Sequence, residues 1–530
     1  MPDSALVINT RAVAGVRPRH VRSVIAFLES IADAASFRPW HDGRTQPPEE
    51  MLKADARYAD ELITARAATG LDESAVTGTM RLRGLTVAVI ALDFRFLGGT
   101  VGVAAATRLT SAVRRATAGG LPLLAVTASG GTRMQEGTLA FLQMIPLTAA
   151  IVAHRTAGLP FVVYLRNPTT GGVVASWGSL GHVTAAEPAA LIGFLGPKVH
   201  AALHGERLPR RVQSAENLLA HGLLDAVVPQ AGLRDYLDDV LRLLIPRKAP
   251  VAAGVAVHDA AGSAPLAPSR PWDSVTRTRA RTRPGVHALL AACQPVVDLP
   301  GTGRGDPDPG LRVALANIRG IPALVVGQDR ACESPIGAAG FRAARRGMRL
   351  AAELGLPVVT IVDTAGAATS RTAEEAGVAS QIARCLADLM FLSTPVVSVL
   401  LGQGAGGGAL ALLPADRVLC ARHAWLSPLP PEGASAIRHG HTRDAPRLAE
   451  AQGVSSERLV AWGAVDVVID ERPDAADEPT AFVQRTIEAV AVELIALQDQ
   501  GIGDVLVGRQ ARHARLANMH NNACGGVLEV

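Results

Sequence analysis

The chain repeats itself, and this repeat constrains its fold more than any other feature. The segment TASGG corresponds to VDTAGA, LPFVVYLRNPTTGGVVAS corresponds to TPVVSVLLGQGAGGGALAL, and ENLLAHGLLDAVV corresponds to ERLVAWGAVDVVI. The spacing hardly changes along the chain: Gly130 and Gly366 lie 236 positions apart, and Pro160 and Pro395 lie 235 apart. A nearly constant spacing over such long segments predicts two copies of one fold.

Glycine turns follow apolar, strand-like runs in the first copy. One run leads to Gly130 and Gly131, and a second run about forty residues later leads to Gly171 and Gly172. Helix-compatible sequence follows the first turn. Glycine has no side chain to block close approach, so backbone N–H groups there, with the positive end of a helix dipole behind them, suit an oxygen that gains negative charge. We expect the two turns to line one pocket.

The alternation of strand-like and helix-like segments predicts the α/β class. Residues 1–78 form a predicted helical leader that docks on the body, and residues 79–245 form the first α/β domain. Residues 246–271 are rich in Ala and Pro and poor in periodicity, which predicts a linker. Residues 272–530 form the second α/β domain.

Composition argues against several classes of function. Lys and Arg number 52 against 48 Asp and Glu, and aromatic residues make up 3% of the chain. This balance suits a phosphate-bearing small molecule better than a nucleic acid, which needs stacking side chains or a strong positive field. The five cysteines are too widely spaced for a zinc site or a disulfide framework, and no apolar run is long enough to cross a bilayer. We therefore expect a cytoplasmic protein that binds neither nucleic acid nor membrane.

Longer motifs resemble the carboxyltransferase component of biotin-dependent acyl-CoA carboxylases. ASGGTRMQEG, PTTGGV and AEPAALIGF in the first half resemble the beta subunit of bacterial acetyl-CoA carboxylase. VDTAG, AEEAG, IAR, GQGAGGGAL and PPEGASAI in the second half resemble its alpha subunit. The resemblance covers most of the chain and implies two crotonase-like domains in tandem, a natural fusion of the two subunits.

The sequence also departs from the family pattern. The leader has no cysteine and therefore no counterpart of the beta subunit's zinc ribbon, so we predict no zinc. The family's DTPGAYPG reads DTAGAATS, and Gln403 stands where the family has an acid. The chain contains neither a biotin attachment motif nor an ATP-binding glycine loop. The resemblance therefore implies that biotin carboxylase and a biotin carboxyl carrier protein are partners, with carboxybiotin and a coenzyme A thioester as the bound groups.

Site residues follow from the turns and the resemblance together. Carboxyl transfer needs two negative oxygens stabilised and no obligatory side-chain base, because biotin nitrogen can take the α-proton. We assign the N–H groups of Gly130 and Gly131 to the thioester oxygen. The biotin oxygen is assigned to Gly407 and Gly408, with Ala409 as an alternative. The remaining predicted pocket residues are Thr170, Gly171, Gly172, Gly366, Gly404 and Gly406. Since the two sets lie in different halves, the family arrangement implies a homo-oligomer with active sites at subunit interfaces.

Several alternatives stay open at this stage. Acetyl-CoA is the first expected acceptor, with propionyl-CoA or a longer acyl-CoA next. The same scaffold also serves carboxyltransferases of malonate or methylmalonyl decarboxylases, hydratase-type enzymes, and an inactive scaffold subunit of a carboxylase. Arginines in the sequence either meet CoA phosphates or lie solvated on the surface; these are Arg108, Arg114, Arg115 and the run from Arg277 to Arg283. Glu136 and Glu374 are expected to support helix N-termini.

Overall fold

The computed structural model describes residues 23–40, 55–196, 211–247 and 270–517, with a few further residues between 47 and 52 and between 200 and 209. The first half contains one mixed sheet in the order β1-β2-β3-β4-β5-β6-β8, with β7 paired to β5. Its strands are β1 (Arg38–Pro39), β2 (Ala75–Leu82), β3 (Leu85–Leu92), β4 (Leu123–Ser129), β5 (Phe161–Thr170), β6 (Val183–Ala186), β7 (Ile192–Gly193) and β8 (Ala226–Val227). Its helices are α1 (Val24–Ile31), α2 (Ala56–Thr69), α3 (Val103–Ala118), α4 (Gly137–Leu142), α5 (Met144–Thr156), α6 (Ala215–Ala220) and α7 (Gln230–Leu244). Short 3-10 turns cover Leu97–Gly99, Met134–Glu136 and Trp177–Ser179.

The second half contains a matching mixed sheet in the order β16-β14-β13-β12-β11-β10-β9, with β15 paired to β13. Its strands are β9 (Val296–Asp298), β10 (Leu311–Ile318), β11 (Ile321–Gln328), β12 (Val358–Thr364), β13 (Val396–Ala405), β14 (Arg417–Ala421), β15 (Trp425–Ser427) and β16 (Val467–Ile469). Its helices are α8 (Pro271–Arg277), α9 (Val286–Ala291), α10 (Ala338–Leu354), α11 (Arg371–Glu375), α12 (Val378–Met390), α13 (Gly406–Leu410), α14 (Pro431–His439), α15 (Ala445–Ala451), α16 (Ser456–Ala461), α17 (Pro479–Asp499) and α18 (Ile502–Ala517).

The structure contains the repeat predicted from the sequence. Strands β12 and β13 repeat β4 and β5 at a spacing of 235 residues, with the same lengths. Each half opens its sheet with an antiparallel hairpin, β2–β3 or β10–β11, and continues in parallel strands. Both hairpins turn on a two-residue Arg-Gly loop with positive φ, Arg83–Gly84 and Arg319–Gly320, the backbone that twisted two-residue hairpins favour. The predicted α/β class and tandem arrangement are confirmed.

The predicted boundary of the leader does not coincide with a boundary between secondary-structure elements. Residues 38–39 and β2 belong to the first sheet, so the boundary placed between residues 78 and 79 falls inside a strand. The leader's described helices, α1 and α2, nevertheless lie within the predicted helical segment, and buried Val24 and Phe27 join the hydrophobic core. Almost all of the predicted linker, residues 248–269, lies outside the described residues.

One hydrophobic core runs through both halves. It joins one face of the first sheet and α7 to the second sheet and α10. Ion pairs cross the same contact: Arg346 binds Asp225 through two hydrogen bonds of 2.7 and 2.9 Å, and Arg155 binds Glu353 at 2.7 Å. The two sheets are therefore packed as one body rather than joined only by the linker.

The described residues contain neither a membrane-spanning single helix nor a cluster of metal-ligating side chains. No single helix in them is long and apolar enough to cross a membrane, although Met134–Leu142 and Met144–Thr156, bent by 44°, together reach the required length and composition. Within the same residues, no three His, Cys, Asp or Glu side chains gather as metal ligands would.

Candidate active site

The first glycine turn follows β4, and its two amides are engaged within the chain. The Gly131 N–H donates to Ser129 Oγ at 3.0 Å, and the Gly130 N–H donates to the Gly98 carbonyl at 2.8 Å. Gly131 has a φ of 106°, which L side chains rarely adopt. These contacts do not support the assignment of the two amides as oxyanion donors. Both glycines instead shape the turn.

A second glycine turn, at the end of β5, touches the first. A Cβ built on Gly131 would lie 3.1 Å from both Gly171 Cα and Gly172 N, so only glycine allows the two loops to approach this closely. The Gly171 N–H donates to the Phe194 carbonyl at 3.0 Å. Thr170 is buried, and its hydroxyl donates to the Ser129 carbonyl at 3.5 Å. The predicted association of the two turns is therefore present, with Thr170 supporting the loops.

The second half reproduces this arrangement. The Gly366 N–H donates to Thr364 Oγ1 at 3.0 Å, as Gly131 does to Ser129, and Gly366 has a φ of 133°. Gly406 has a φ of 64° and begins α13, and a Cβ on Gly408 would lie 3.0 Å from Ala367 N. Here too two loops are held in contact by residues without side chains.

Each half leaves amides unpaired where its two turns meet. In the first half these belong to Thr132 and Gly172, neither of which donates a hydrogen bond to any described residue. In the second half they include Gly407 and Gly408, in the first turn of α13, where a helix has no internal acceptors. Ala409, the predicted alternative, is fully buried and follows Gly408 in the same helix.

Gly404 occupies a different position from the other predicted pocket residues. It lies inside β13, paired to β12 on one side and β15 on the other, and a Cβ there would lie 2.6 Å from the Trp425 carbonyl. Close strand packing accounts for this glycine. This position does not support the predicted role of Gly404 as a pocket residue.

A buried amide holds the second pair of loops together. Gln328 is fully buried at the end of β11; its Nε2 donates to the Gly408 carbonyl at 2.7 Å, and its Oε1 accepts from Asp363 N at 2.9 Å. The Asp363 carboxylate accepts from Gln403 N at 2.9 Å and from Arg330 at 3.3 Å. Burial raises the pKa of Asp363, and the charge of Arg330 opposes that shift. Gln328 and Asp363 thus fix the position of the GQGAGGG loop.

A buried ion network supports the first pair of loops. Arg133, fully buried, donates to Glu73 at 2.9 Å, to Glu136 at 3.1 Å and to the Thr100 carbonyl at 3.0 Å. The other Glu136 oxygen accepts from Val103 N, the first residue of α3, at 2.6 Å. The expectation that Glu136 supports a helix N-terminus is therefore confirmed. Burial would lower the pKa of Arg133, but the hydrogen bond and charge of Glu73 raise it, so the guanidinium stays charged.

Sequence reasoning missed both supports. For Gln328, the sequence offers one indication of a buried hydrogen-bonding role: it is the polar residue that ends the apolar strand IPALVVGQ. Arg133 pairs with Glu73, and the Tyr58 hydroxyl donates to Glu136. The partners in each contact lie 60 or more positions apart in the sequence, so no local sequence pattern predicts either contact.

The arginines predicted to be solvated or phosphate-binding divide into two groups. Arg108 is buried and bound to Asp72 at 2.7 Å, and Arg283 is fully buried against Glu471 at 2.5 Å. Neither a CoA-binding role nor a solvated surface position was correct for these two arginines, because each guanidinium is paired with a carboxylate inside the protein. Arg114 and Arg115 are exposed on α3.

The chain matches two family models in chain order. The carboxyl transferase domain model matches residues 48–224, and the model described as acetyl co-enzyme A carboxylase carboxyltransferase-like matches residues 266–519. These matches correspond to the two halves of the repeat.

Curated relatives match nearly the whole chain. A probable biotin-dependent acyl-coenzyme A carboxylase beta3 subunit of Mycobacterium tuberculosis is 52% identical over 491 residues, covering 92% of this chain and 97% of the relative. The acetyl-coenzyme A carboxylase carboxyl transferase subunits beta/alpha of Salinispora arenicola are 40% identical over 510 residues, covering 92% and 90%.

Solved structures share the fold at low sequence identity. The transcarboxylase 12S hexamer has a TM-score of 0.69 at 19% identity, covering 88% of this chain and 90% of that one. A single-chain, multi-domain long-chain acyl-CoA carboxylase has a TM-score of 0.67 at 19% identity, covering 89% and 45%. The crotonase-like fold predicted from sequence is confirmed by these similarities. The chain belongs to the carboxyltransferase subunits of biotin-dependent acyl-CoA carboxylases, with its beta-like and alpha-like halves fused.

Proposed function

We propose that this chain carboxylates acetyl-CoA to malonyl-CoA, using carboxybiotin on a carrier protein that a biotin carboxylase has loaded. The family supplies the general activity, biotin-dependent acyl-CoA carboxyl transfer. The relative from Salinispora arenicola, named for acetyl-CoA carboxylase, supports acetyl-CoA as the acceptor. Propionyl-CoA and longer acyl-CoAs are the alternatives, since other similar proteins are named for acyl-CoA, methylmalonyl-CoA or long-chain substrates.

The unpaired amides of the first half suit the thioester oxygen. We assign Gly172 N–H and Thr132 N–H to it, in place of Gly130 and Gly131, because these two amides lack partners among the described residues. An acyl-CoA enolate places negative charge on that oxygen, and a preorganised N–H donor stabilises it more than the neutral carbonyl. Removing one such donor costs roughly 100-fold to 1000-fold in rate. Gly131 contributes by keeping the loop beside Gly172 free of a side chain.

The second pair of loops suits the biotin ring. Carboxybiotin supplies the transferable carboxyl group, and its ureido oxygen gains negative charge as that group leaves. Gly407 and Gly408 present first-turn amides and carry no side chains of their own, and such amides fit a negative oxygen better than a neutral one. Gln328 holds the Gly408 carbonyl from behind, so these amides keep their direction.

A subunit contact would bring the two sets of loops together. None of the close contacts at the glycines of either turn pair crosses from one half to the other. Large apolar side chains are exposed in the first half on the 3-10 turn Met134–Glu136, on α4 and α5 and in the loop after β7, and in the second half after α12 and on α14. These are Met134, Phe141, Ile145, Phe194, Phe391 and Ile437. Exposed apolar surface of this kind marks an interaction site, so we propose a homo-oligomer in which the first half of one subunit faces the second half of another.

The observation that carries the proposal is the duplicated pair of turns, each with unpaired backbone amides. A hydratase reading is weaker, because it needs a free acid–base carboxylate pair. Glu136 and Asp363, the carboxylates of the two turn motifs, are instead buried and hydrogen-bonded to backbone and arginine.

Malonyl-CoA decarboxylation with free biotin tests the reaction without any partner protein. We expect turnover by the wild type, and carboxylation with a carboxylated carrier should favour acetyl-CoA over propionyl-CoA and longer thioesters. Gly172→Ala should lower turnover sharply, because its Cβ would lie 2.6 Å from Thr132 Oγ1. Gly232→Ala is the matched control, since its Cβ would meet nothing within 4 Å.

Two outcomes would contradict the proposal. Folded wild-type protein that binds CoA without decarboxylating malonyl-CoA would make the chain a scaffold subunit. Preference for propionyl-CoA or a longer thioester would reject the acetyl-CoA assignment while leaving carboxyl transfer intact.

A further inference from the structure

Five arginines line one polar cleft in the second half. The cleft lies between the loop before β10 and helices α10 and α12. Its lining residues are Thr302, Arg304, Arg342, Arg345, Arg349, Gln381 and Arg384. We refer to it as the arginine cleft.

The charge in the arginine cleft is only partly balanced. Arg342 is bound to Asp306, and Arg345 is bound to Asp388 at 2.6 Å and to Gln381 at 3.3 Å. Five cations therefore share two carboxylates.

The remaining three guanidinium groups are those of Arg304, Arg349 and Arg384. They are exposed and have no ion-pair or hydrogen-bond partner among the described residues. Three uncompensated positive charges around one concave site repel each other, and an anion placed between them relieves that repulsion.

The arginine cleft neighbours the second pair of loops without belonging to it. Helix α12 contributes Gln381 and Arg384 to the cleft, and between them Ile382 lies 3.5 Å from a Cβ built on Gly407. Arg346, also on α10, does not line the cleft, and its guanidinium donates to Asp225 of the first half. The cleft therefore borders the contact between the halves, where the Gly303 N–H donates to the Gly222 carbonyl at 3.1 Å, but none of its lining residues is one of the glycines of the two turns.

We propose that the arginine cleft binds the phosphate groups of a small molecule. The guanidinium fork matches phosphate oxygens with two parallel N–H donors, and several such forks favour a multiply charged phosphate over a single carboxylate. Two sources supply this chemistry: the phosphates of a CoA thioester, which rests on the function proposed above, or a free phosphate compound such as pyrophosphate. Thr302 and Gln381 add neutral polar groups beside the cations.

Calorimetry on the intact protein tests binding directly, with inorganic pyrophosphate, CoA and 3′-dephospho-CoA as probes. We expect Arg349→Ala and Arg384→Ala each to raise the dissociation constant of a bound probe about tenfold, the loss of one charge-assisted contact. Arg349→Lys should recover only part of the affinity, because lysine keeps the charge and loses the fork. Binding should also weaken with added salt. Arg447→Ala, on α15, is the matched control, and its dissociation constants should equal those of the wild type.

The three probes distinguish the sources. If CoA loses affinity in the variants and 3′-dephospho-CoA does not, the 3′-phosphate of CoA occupies the cleft. If pyrophosphate alone loses affinity, a free phosphate compound occupies it.

Unchanged dissociation constants for all three probes would overturn the proposal, provided that the variants melt at the wild-type temperature. It would also be overturned if only carrier-dependent turnover fell, since the cleft would then contact an acidic protein surface. Pyrophosphate binding needs no turnover, so this result and a failure of the carboxyltransferase assignment are separable.

Discussion

Replacing Gln328 by Met tests whether the second pair of loops depends on one buried amide. Methionine keeps the length of the side chain but cannot donate to the Gly408 carbonyl or accept from Asp363 N, which now lie at 2.7 and 2.9 Å from the amide. Each buried polar group left without a partner costs about 1–3 kcal/mol. We therefore expect the free energy of unfolding to fall by about 2–6 kcal/mol.

Turnover should fall by more than stability alone explains. Gly408 and its neighbour Gly407 lose their anchor, and a misplacement near 1 Å at a reacting site costs roughly 100-fold in rate. We expect the kcat of malonyl-CoA decarboxylation with free biotin to drop roughly 10-fold to 100-fold. The KM for malonyl-CoA should stay close to the wild-type value, because the thioester is assigned to the first half. The assay is run well below the melting temperature of each variant.

Leu494→Ala is the control for lost stability. Leu494 is fully buried on α17 and belongs to neither pair of glycine turns, and its truncation costs about 2–5 kcal/mol through a cavity. It should lower the melting temperature comparably and leave kcat unchanged. If Gln328→Met and Leu494→Ala lose equal stability and both keep wild-type kcat, Gln328 does not position the loop, and the argument from its two hydrogen bonds is refuted.

Further predictions concern a glycine of each pair of loops and a glutamate between the halves. Gly131→Val should abolish most turnover, because its Cβ would lie 3.1 Å from Gly172 N at a φ of 106°; unchanged steady-state kinetics would remove the first turn from the site. Gly408→Val should lower kcat of the biotin-dependent step without changing CoA affinity measured by calorimetry. Burial would raise the pKa of Glu353, but His182 and Arg155 lower it to about 2. The stabilisation that this carboxylate provides is therefore complete above the unfolded value of 4.5 and is lost progressively as the pH falls from 4.5 toward 2. Glu353→Gln should therefore melt with a smaller decrease between pH 4.5 and pH 3 than the wild type.

The architecture could be predicted from the sequence because it depends on local patterns that occur in both halves. Apolar runs ending in paired glycines predicted the order of strands and turns, and the constant spacing predicted a second copy. The leader boundary failed for a physical reason. Strand β2 begins four residues before the predicted boundary, and the pairing of Arg38 with Thr79 that extends the sheet joins residues far apart in sequence.

The direction of individual amides was beyond the reach of sequence reasoning. A glycine pair after a strand indicates close backbone approach, but which N–H groups remain unpaired depends on neighbours from other loops. The carbonyl of Gly98 and the hydroxyl of Ser129 occupy the amides of Gly130 and Gly131. Because of these contacts, the proposed N–H donors to the thioester oxygen are Thr132 and Gly172 rather than Gly130 and Gly131.

The two copies keep the same backbone path at the turns but support it with different side chains. Arg133 anchors the first pair of loops, and the equivalent position in the second copy, 235 residues later, is Ala368. Gln328 anchors the second pair, and its equivalent in β3 is Leu92. Backbone geometry is thus the shared requirement, as expected if amides rather than side chains stabilise the negative oxygens.

Because the supports are unrelated, each pair of loops can be weakened without touching the other. An Arg133 variant should act on the thioester half of the reaction and a Gln328 variant on the biotin half. Their effects on the free energy of unfolding should then be additive within about 0.5 kcal/mol, as expected for distant sites without shared partners. A double variant measured by denaturant unfolding that departs from additivity by more than this would show that the two anchors are coupled through the core that joins the halves.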